Sequence, residues 1–308
     1  MKKLLFTLTV LTTLNVNAQT RDGGITTDML QQIEKAYGSE RANRALANAI
    51  AANSIDNLAR NVKNQGLVDN YFSVETPSQS IHNQKSSGRC WMFSGLNVLR
   101  SQYAHANKDT VSVEFSQDYL FFYDQLEKAN LFLQAMIDHA DKPIDDPRVQ
   151  FFMKSPIGDG GTFCGVADLT EKYGLVPMSV QPETYSAENT SRVRSLISSK
   201  LREYGLQLRN KVQETGGKKG NTEAIQKAKT EMLAQIYRML ALTLGEPVKE
   251  FTYTFRDKKG KPLGEPKTYT PKSFYDEVVG HPLNGTFIMA MNDPRRPYYK
   301  TYEVEYDR

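Results

Sequence analysis

The residues best suited to chemistry stand together at Gln84-Lys85-Ser86-Ser87-Gly88-Arg89-Cys90-Trp91. Cys90 follows a run of small residues and opens a stretch of helical apolar spacing, with Gln84 six positions before it. A cysteine attacks as its thiolate, so a nucleophilic one needs positive potential nearby. A helix N-terminus supplies that potential together with unpaired N–H groups. In this arrangement Gly88 allows a tight turn into the helix. The Cys90 N–H then faces a developing oxyanion, and the Gln84 side-chain amide is a second donor. Arg89 either adds positive charge beside the thiol or points to solvent. The alternative is an inert buried thiol, the usual state of an isolated cysteine.

Such a turn needs a frame. Residues 28–63 are helical by spacing, with Met29, Leu30, Ile33, Leu46 and Ile50 among the apolar positions. From Cys90 to about Ala106 runs a helix apolar over much of its circumference, which predicts burial. A second covers Asp118–His139 with Ser116 as N-cap. A third covers Cys164–Tyr173 and is ended by Gly174 in a left-handed conformation. Residues 186–244 read as a charged, leucine-spaced helix pair divided at Thr215–Gly220. That Gly/Lys run is a solvated turn rather than a phosphate loop, since no strand precedes it. A strand at Phe251–Phe255, a turn at Asp257–Lys261 and a second strand ending at Thr270 form a hairpin. Pro271 starts a short helix, and strands are expected at 287–291 and 302–306. Helices first and strands late is an α+β order. The chain stops inside an alternating strand, which leaves an open edge and suggests a fragment.

The chain has 308 residues and a formal net charge of only +4, which gives no support to nucleic acid or an anionic membrane as partner. Met1-Lys2-Lys3, the apolar run Leu4–Leu11 and Val16-Asn17-Ala18 have the form of a secretory signal cut after Ala18. Residues 1–18 are therefore expected to be a leader and the product to be exported, to a periplasm or beyond. Residues 19–75 form an N-terminal helical segment, and residues 76–308 a second domain. No later stretch is long and apolar enough to span a membrane. The only cysteines are Cys90 and Cys164. Two cysteines in an exported protein ordinarily form a disulfide, but this pairing would consume the nucleophile. With no histidine partners nearby, neither a metal site nor a cofactor is implied.

The segment Asn83–Trp91, with Phe93 and Leu96-Asn97-Val98-Leu99-Arg100 after it, resembles the nucleophile segment of papain-like cysteine peptidases. It is most similar to the bleomycin hydrolase and aminopeptidase C branch. Glu114–Phe122, Asp159-Gly160-Gly161-Thr162-Phe163, Glu171–Pro177, Leu244–Pro247, Thr270–Tyr275 and Asn292–Arg295 resemble that branch in the same order, over most of residues 60–308. Phe163 stands where a Trp is common. Ser87 occupies the place where disulfide-bearing relatives of papain have a cysteine.

The resemblance implies a papain-like α+β fold, mainly its helical lobe, with an inserted helical region and hairpin at about 186–270 and the start of a β lobe. It implies an aminopeptidase acting on peptides through Cys90 and Gln84, and a homo-oligomer of hexamer form. It makes Asp159, Gly160, Gly161 and Trp91 substrate-binding residues. It also implies a histidine base and an orienting asparagine before Ser-Trp. None of the four histidines, His82, His105, His139 and His281, suits that place, and the single tryptophan is Trp91. The expectation is that the chain ends before both partners and is inactive alone. The alternative is a non-catalytic, peptide-binding remnant.

Overall fold

Helical periodicity governs most of the architecture. The structure, a computed structural model, describes residues 23–37, 41–64, 66, 71–73, 75, 79–217, 222–283 and 291–302. The expected leader lies outside these residues, and the strands expected at 287–291 and 302–306 lie largely outside them. The chain divides into two units, Met1–Val74 and Glu75–Arg308.

The first unit holds α1 (Thr27–Tyr37), α2 (Arg41–Ala52) and α3 (Ile55–Ala59). Met29, Leu30 and Ile33 share one face of α1 and stay exposed.

The second unit is built on α4 (Cys90–Ala106) and α5 (Gln117–Asp138). Ser116 caps α5, its hydroxyl accepting the Tyr119 N–H at 3.1 Å. Neither Gly nor Pro interrupts α5, and Leu120, Phe121, Phe122, Phe132, Leu133 and Met136 are buried on several of its sides. A helix so surrounded is the centre of its domain. Around it lie α6 (Pro147–Lys154), α7 (Phe163–Tyr173), the short α8 (Tyr185–Glu188), and the long antiparallel pair α9 (Thr190–Glu214) and α10 (Thr222–Leu244). On α9 the buried Val193, Ile197, Leu201, Leu208 and Val212 form the stripe that meets α5. Arg202 and Arg209, seven positions apart on α9, end two other helices. Arg202 donates to Met153 O at 2.8 Å and Lys154 O at 3.0 Å, and Arg209 to His139 O at 2.6 Å. Cations at exposed C-terminal carbonyls satisfy acceptors that the helix itself leaves unpaired.

The strands are short. The β1 strand (Val111–Ser112) pairs antiparallel with β3 (Arg256–Asp257), and β2 (Phe251–Tyr253) with β4 (Lys267–Tyr269), in the register Phe251↔Tyr269. The strand expected over 251–255 thus ends at Tyr253, because the chain crosses to reach β1. The last described helix, α11 (Pro271–Val278), has a full capping box between Thr270 and Ser273. Its Phe274 is the hub of an aromatic cluster, stacked on Phe255 at 5.7 Å and edge-on to Phe115 at 6.3 Å.

Gly174 ends α7 but not in the left-handed helical state: its φ is 83° and its ψ −165°. That region belongs almost solely to glycine. A Cβ there would also lie 2.2 Å from the carbonyl carbon of Pro271. Gly245 has the same φ of 83° with open space around it. Gly245→Ala should therefore cost about 1 kcal/mol, and Gly174→Ala about 3 kcal/mol or more, with backbone clash added to strain. Urea midpoints of the two variants check this, and equal losses would contradict it.

Candidate active site

The segment before Cys90 is pinned to α4 and held in a reciprocal turn. Ahead of the turn, His82 Nδ1 lies 3.3 Å from Asn97 Oδ1 on α4, and His82 Nε2 lies 3.0 Å from Glu114 Oε1. Arg100, also on α4, reaches Ser80 O and lies 3.5 Å from Glu114. Within the turn, the Gln84 side-chain amide donates to Ser87 O at 2.5 Å and the Ser87 hydroxyl donates to Gln84 O at 2.7 Å. Lys85, at φ 55°, takes the left-handed conformation, helped by Asn83 Oδ1 accepting its N–H at 2.8 Å.

Two residues behave differently from expectation. Gly88 does not supply the positive φ, which falls to Lys85. Glycine is required at 88 because a Cβ would stand 2.8 Å from the Cβ of Asp159. Arg89 neither faces solvent nor leaves free positive charge beside the thiol. It is fully buried and pairs with both carboxylate oxygens of Glu183, at 3.1 and 2.6 Å. Its Nε donates to Ser87 Oγ at 3.1 Å, and its guanidinium lies over the rings of Phe93 and Phe121 at 5.1 and 5.2 Å. Removing one partner of such a pair leaves an uncompensated buried charge, at a cost of about 3–5 kcal/mol.

Cys90 is the first residue of α4 and is exposed, while one side of the helix behind it, with Met92, Phe93, Leu96 and Leu99, is buried. The first bonds of α4 run from the Met92 and Phe93 N–H groups to Arg89 O, at 3.0 and 3.1 Å, which leaves the Cys90 N–H without an acceptor among the described residues. An exposed sulfur, an N–H of the same residue without an acceptor among the described residues and a fixed carboxamide in the same turn are groups that a thiol nucleophile and its oxyanion donors require. No disulfide joins Cys90 to Cys164.

Asp159, Gly160, Gly161 and Trp91 do meet at this turn. The Asp159 side chain, however, is turned inward. It is 5% exposed, and its Oδ2 accepts the Gly88 N–H at 3.1 Å and the Thr190 hydroxyl. Its other oxygen, Oδ1, is buried without a partner among the described residues. The Asp159 side chain thus braces the turn before Cys90 against the start of α9. The Trp91 indole N–H donates to Asp159 O at 2.7 Å, and its ring covers Gly161, where a Cβ would lie 2.5 Å from Cε2. Gly160 and Gly161 are exposed, and nothing in the fold demands glycine at 160.

Sequence reasoning missed Glu183, Thr190, Asp124 and Lys128. Lys128 donates to Asp124 Oδ2 at 2.8 Å, Gly158 O at 2.9 Å and Gly160 O at 2.7 Å. The Asp124–Lys128 spacing of four on a helix was the one signal available for them. Burial raises the Asp124 carboxyl to about 6 against the opposing pull of Lys128. The four histidines are engaged elsewhere: His82 as above, His105 with Asp109 at 3.7 Å, His139 with Ala135 O at 2.9 Å and His281 with Val279 O at 2.7 Å. Among the described residues no group of three or more His, Cys, Asp or Glu is placed to hold a metal ion, and no helix is long and apolar enough to cross a membrane. A hollow of about 540 Å³ between α5, α7 and α10, lined by Leu126, Glu127, Tyr173 and Tyr237 among others, includes none of the turn residues.

The model of the Peptidase C1-like family matches residues 24–308, nearly the whole chain. The chain belongs to the Peptidase C1-like family. Among its curated relatives, aminopeptidase C of Lactobacillus delbrueckii subsp. lactis is 38% identical over 284 residues, which are 92% of this chain and 62% of that protein. Human bleomycin hydrolase is 39% identical over 239 residues, 76% of this chain and 51% of that one. The crystal structure of PepW from Lactobacillus rhamnosis superposes with a TM-score of 0.74 at 35% identity, covering 86% of this chain and 58% of that one. This Peptidase C1-like chain therefore has the α+β papain-like peptidase fold, and it spans between about half and about three fifths of the length of these relatives.

Asp118, fully buried beside the Arg89–Glu183 pair, has its carboxyl raised by burial to about 7 from the ordinary 3.8. It accepts from Gln181 and Thr184, both at 3.2 Å. The native state thus holds this proton more tightly than the unfolded chain. Its contribution to stability is complete below about pH 4 and is lost as pH rises through about 7. The difference in melting temperature between Asp118→Asn and the parent should move in the variant's favour from pH 5 to pH 8, by at least about 2 °C. A flat difference, or one of the opposite slope, would count against the buried neutral carboxyl.

Proposed function

We propose that this chain carries the nucleophile half of a cysteine-type aminopeptidase of the bleomycin hydrolase kind. The observation that carries the proposal is Cys90, exposed at the first position of a half-buried helix, its own N–H without an acceptor among the described residues and the Gln84 amide fixed in the turn before it. The Cys90 thiolate attacks the carbonyl carbon of an N-terminal peptide bond, and the oxyanion is held by the Cys90 N–H and Gln84 Nε2. Gln84 spends one amide hydrogen on Ser87 O, and the second serves the oxyanion. The C–N bond then breaks, the amine leaves with a proton from a general acid, and water hydrolyses the thioester. The acid and base in this scheme is a histidine oriented by an asparagine, supplied from outside these 308 residues, since the four histidines of the chain have other partners. Peptides are the substrates, Gly160 and Gly161 the wall they lie against, and residues 186–270 an insertion in the helical lobe that supports a homo-oligomer.

On this reading the 308-residue chain should hydrolyse an aminoacyl fluorogenic amide no faster than its Cys90→Ala variant. A longer chain that adds the histidine and asparagine should turn over and lose at least about a thousandfold on the same substitution. Turnover by the 308-residue chain that depends on Cys90 would overturn the division of the site.

A second reading, peptide capture without turnover, is favoured by the loop of the glycine wall being held by Trp91 and Lys128 of this chain. The basic and apolar pattern of residues 1–18 further supports export. N-terminal sequencing of the protein from its own cells should begin at Gln19, and a start at Met1 would remove that reading.

A further inference from the structure

The loop from Gly158 to Gly161 shows every carbonyl but its last tied down by a side chain. Gly158 O accepts from Gln125 Nε2 at 3.1 Å and Lys128 Nζ at 2.9 Å. Asp159 O accepts the Trp91 indole, and Gly160 O accepts Lys128 Nζ at 2.7 Å. An ammonium has three protons, and Lys128 uses all three, on Asp124, Gly158 O and Gly160 O. The same ammonium stands 5.5 Å from the centroid of the Trp91 ring that packs on Gly161.

A trans peptide directs its C=O and the next N–H to opposite sides. No cis peptide occurs among the described residues. Holding Gly160 O toward Lys128 therefore turns the Gly161 N–H the other way, where Gly161 is exposed and this N–H has no acceptor among the described residues. A free, oriented backbone donor on an exposed edge is what an extended peptide pairs with. Rotating the 160–161 peptide would break the lysine bond and turn the donor away.

We propose that Lys128 is a positioning residue: it fixes the direction of the Gly160–Gly161 peptide and thereby sets the affinity of the site for extended peptides. It never touches the reacting atoms. The inference rests on the peptidase reading above, so its test separates the two.

The 308-residue chain is inactivated with two thiol reagents, iodoacetamide, which needs no peptide site, and a dipeptidyl chloromethyl ketone, which does. Lys128→Met is combined with Asp124→Asn so that no buried carboxylate is left unpaired. The parent should show saturation with the peptidyl reagent. In the double variant its half-saturation concentration should rise about tenfold, the loss of one oriented hydrogen bond. The maximal rate and the iodoacetamide rate should stay as in the parent. Asp124→Asn alone, which keeps the lysine on both carbonyls, should keep parental saturation. Unchanged half-saturation in the double variant overturns the role of Lys128 while leaving the peptidase reading intact. Absence of saturation in the parent overturns the peptidase reading and the inference with it. If the double variant melts below the assay temperature, Lys128→Gln takes its place, with the same expected direction and the same overturning result.

Discussion

The site depends on one buried ion pair. Arg89 stands immediately before Cys90, is wholly enclosed, and meets both oxygens of Glu183. Its backbone carbonyl accepts the first bonds of α4 and its Nε reaches Ser87 Oγ. One side chain thus ties together the end of the turn, the start of the helix and the segment before α8. A guanidinium suits this place better than an ammonium, because its planar fork satisfies a carboxylate in two directions and stacks on aromatic rings. Its charge is cancelled within the core, so the positive potential at Cys90 comes from the helix terminus and its unbonded N–H groups.

The same economy holds at Asp159. Its side chain reads as a cleft residue in sequence, yet it braces Gly88 and Thr190 from within, leaving one carboxylate oxygen buried and unpaired among the described residues. An unpaired buried acceptor is costly and persists only where surrounding structure holds it. Ser86 adds a further tie, its N–H donating to Glu188 O at 3.0 Å. The end of α8 therefore supports the turn before Cys90 directly, and the start of α9 supports it through Asp159, beyond packing its apolar stripe on α5.

Local chemistry made much of this legible. Apolar periodicity placed α4, α5, α7 and α10 within a residue or two of their bounds and the end of α9 likewise, while α9 starts four residues later than expected; Ser116 signalled the cap of α5. The candidate site stood out because Cys90, a small-residue turn and Gln84 share one short segment. What escaped was set by tertiary contact. Whether Arg89 faces water or core depends on Glu183, ninety-four positions away, and no spacing announces that pairing. The reasons for glycine at 88 and 161 lie in the Asp159 and Trp91 side chains that touch them, not in backbone φ. The strand from Phe251 ends at Tyr253, and the chain beyond it pairs at Arg256–Asp257 with Val111–Ser112, again a long-range event.

The central claim is that the turn and the helix start together form an oxyanion site around Cys90. A crystal structure of the chain with a peptide aldehyde bound tests it most directly, since a hemithioacetal forms on the thiol without any other residue of the machinery. The account predicts a bond from Cys90 Sγ to the aldehyde carbon, with its oxygen about 2.7–3.1 Å from both the Cys90 nitrogen and Gln84 Nε2. A hemithioacetal whose oxygen meets neither donor, or no adduct on Cys90, would contradict it.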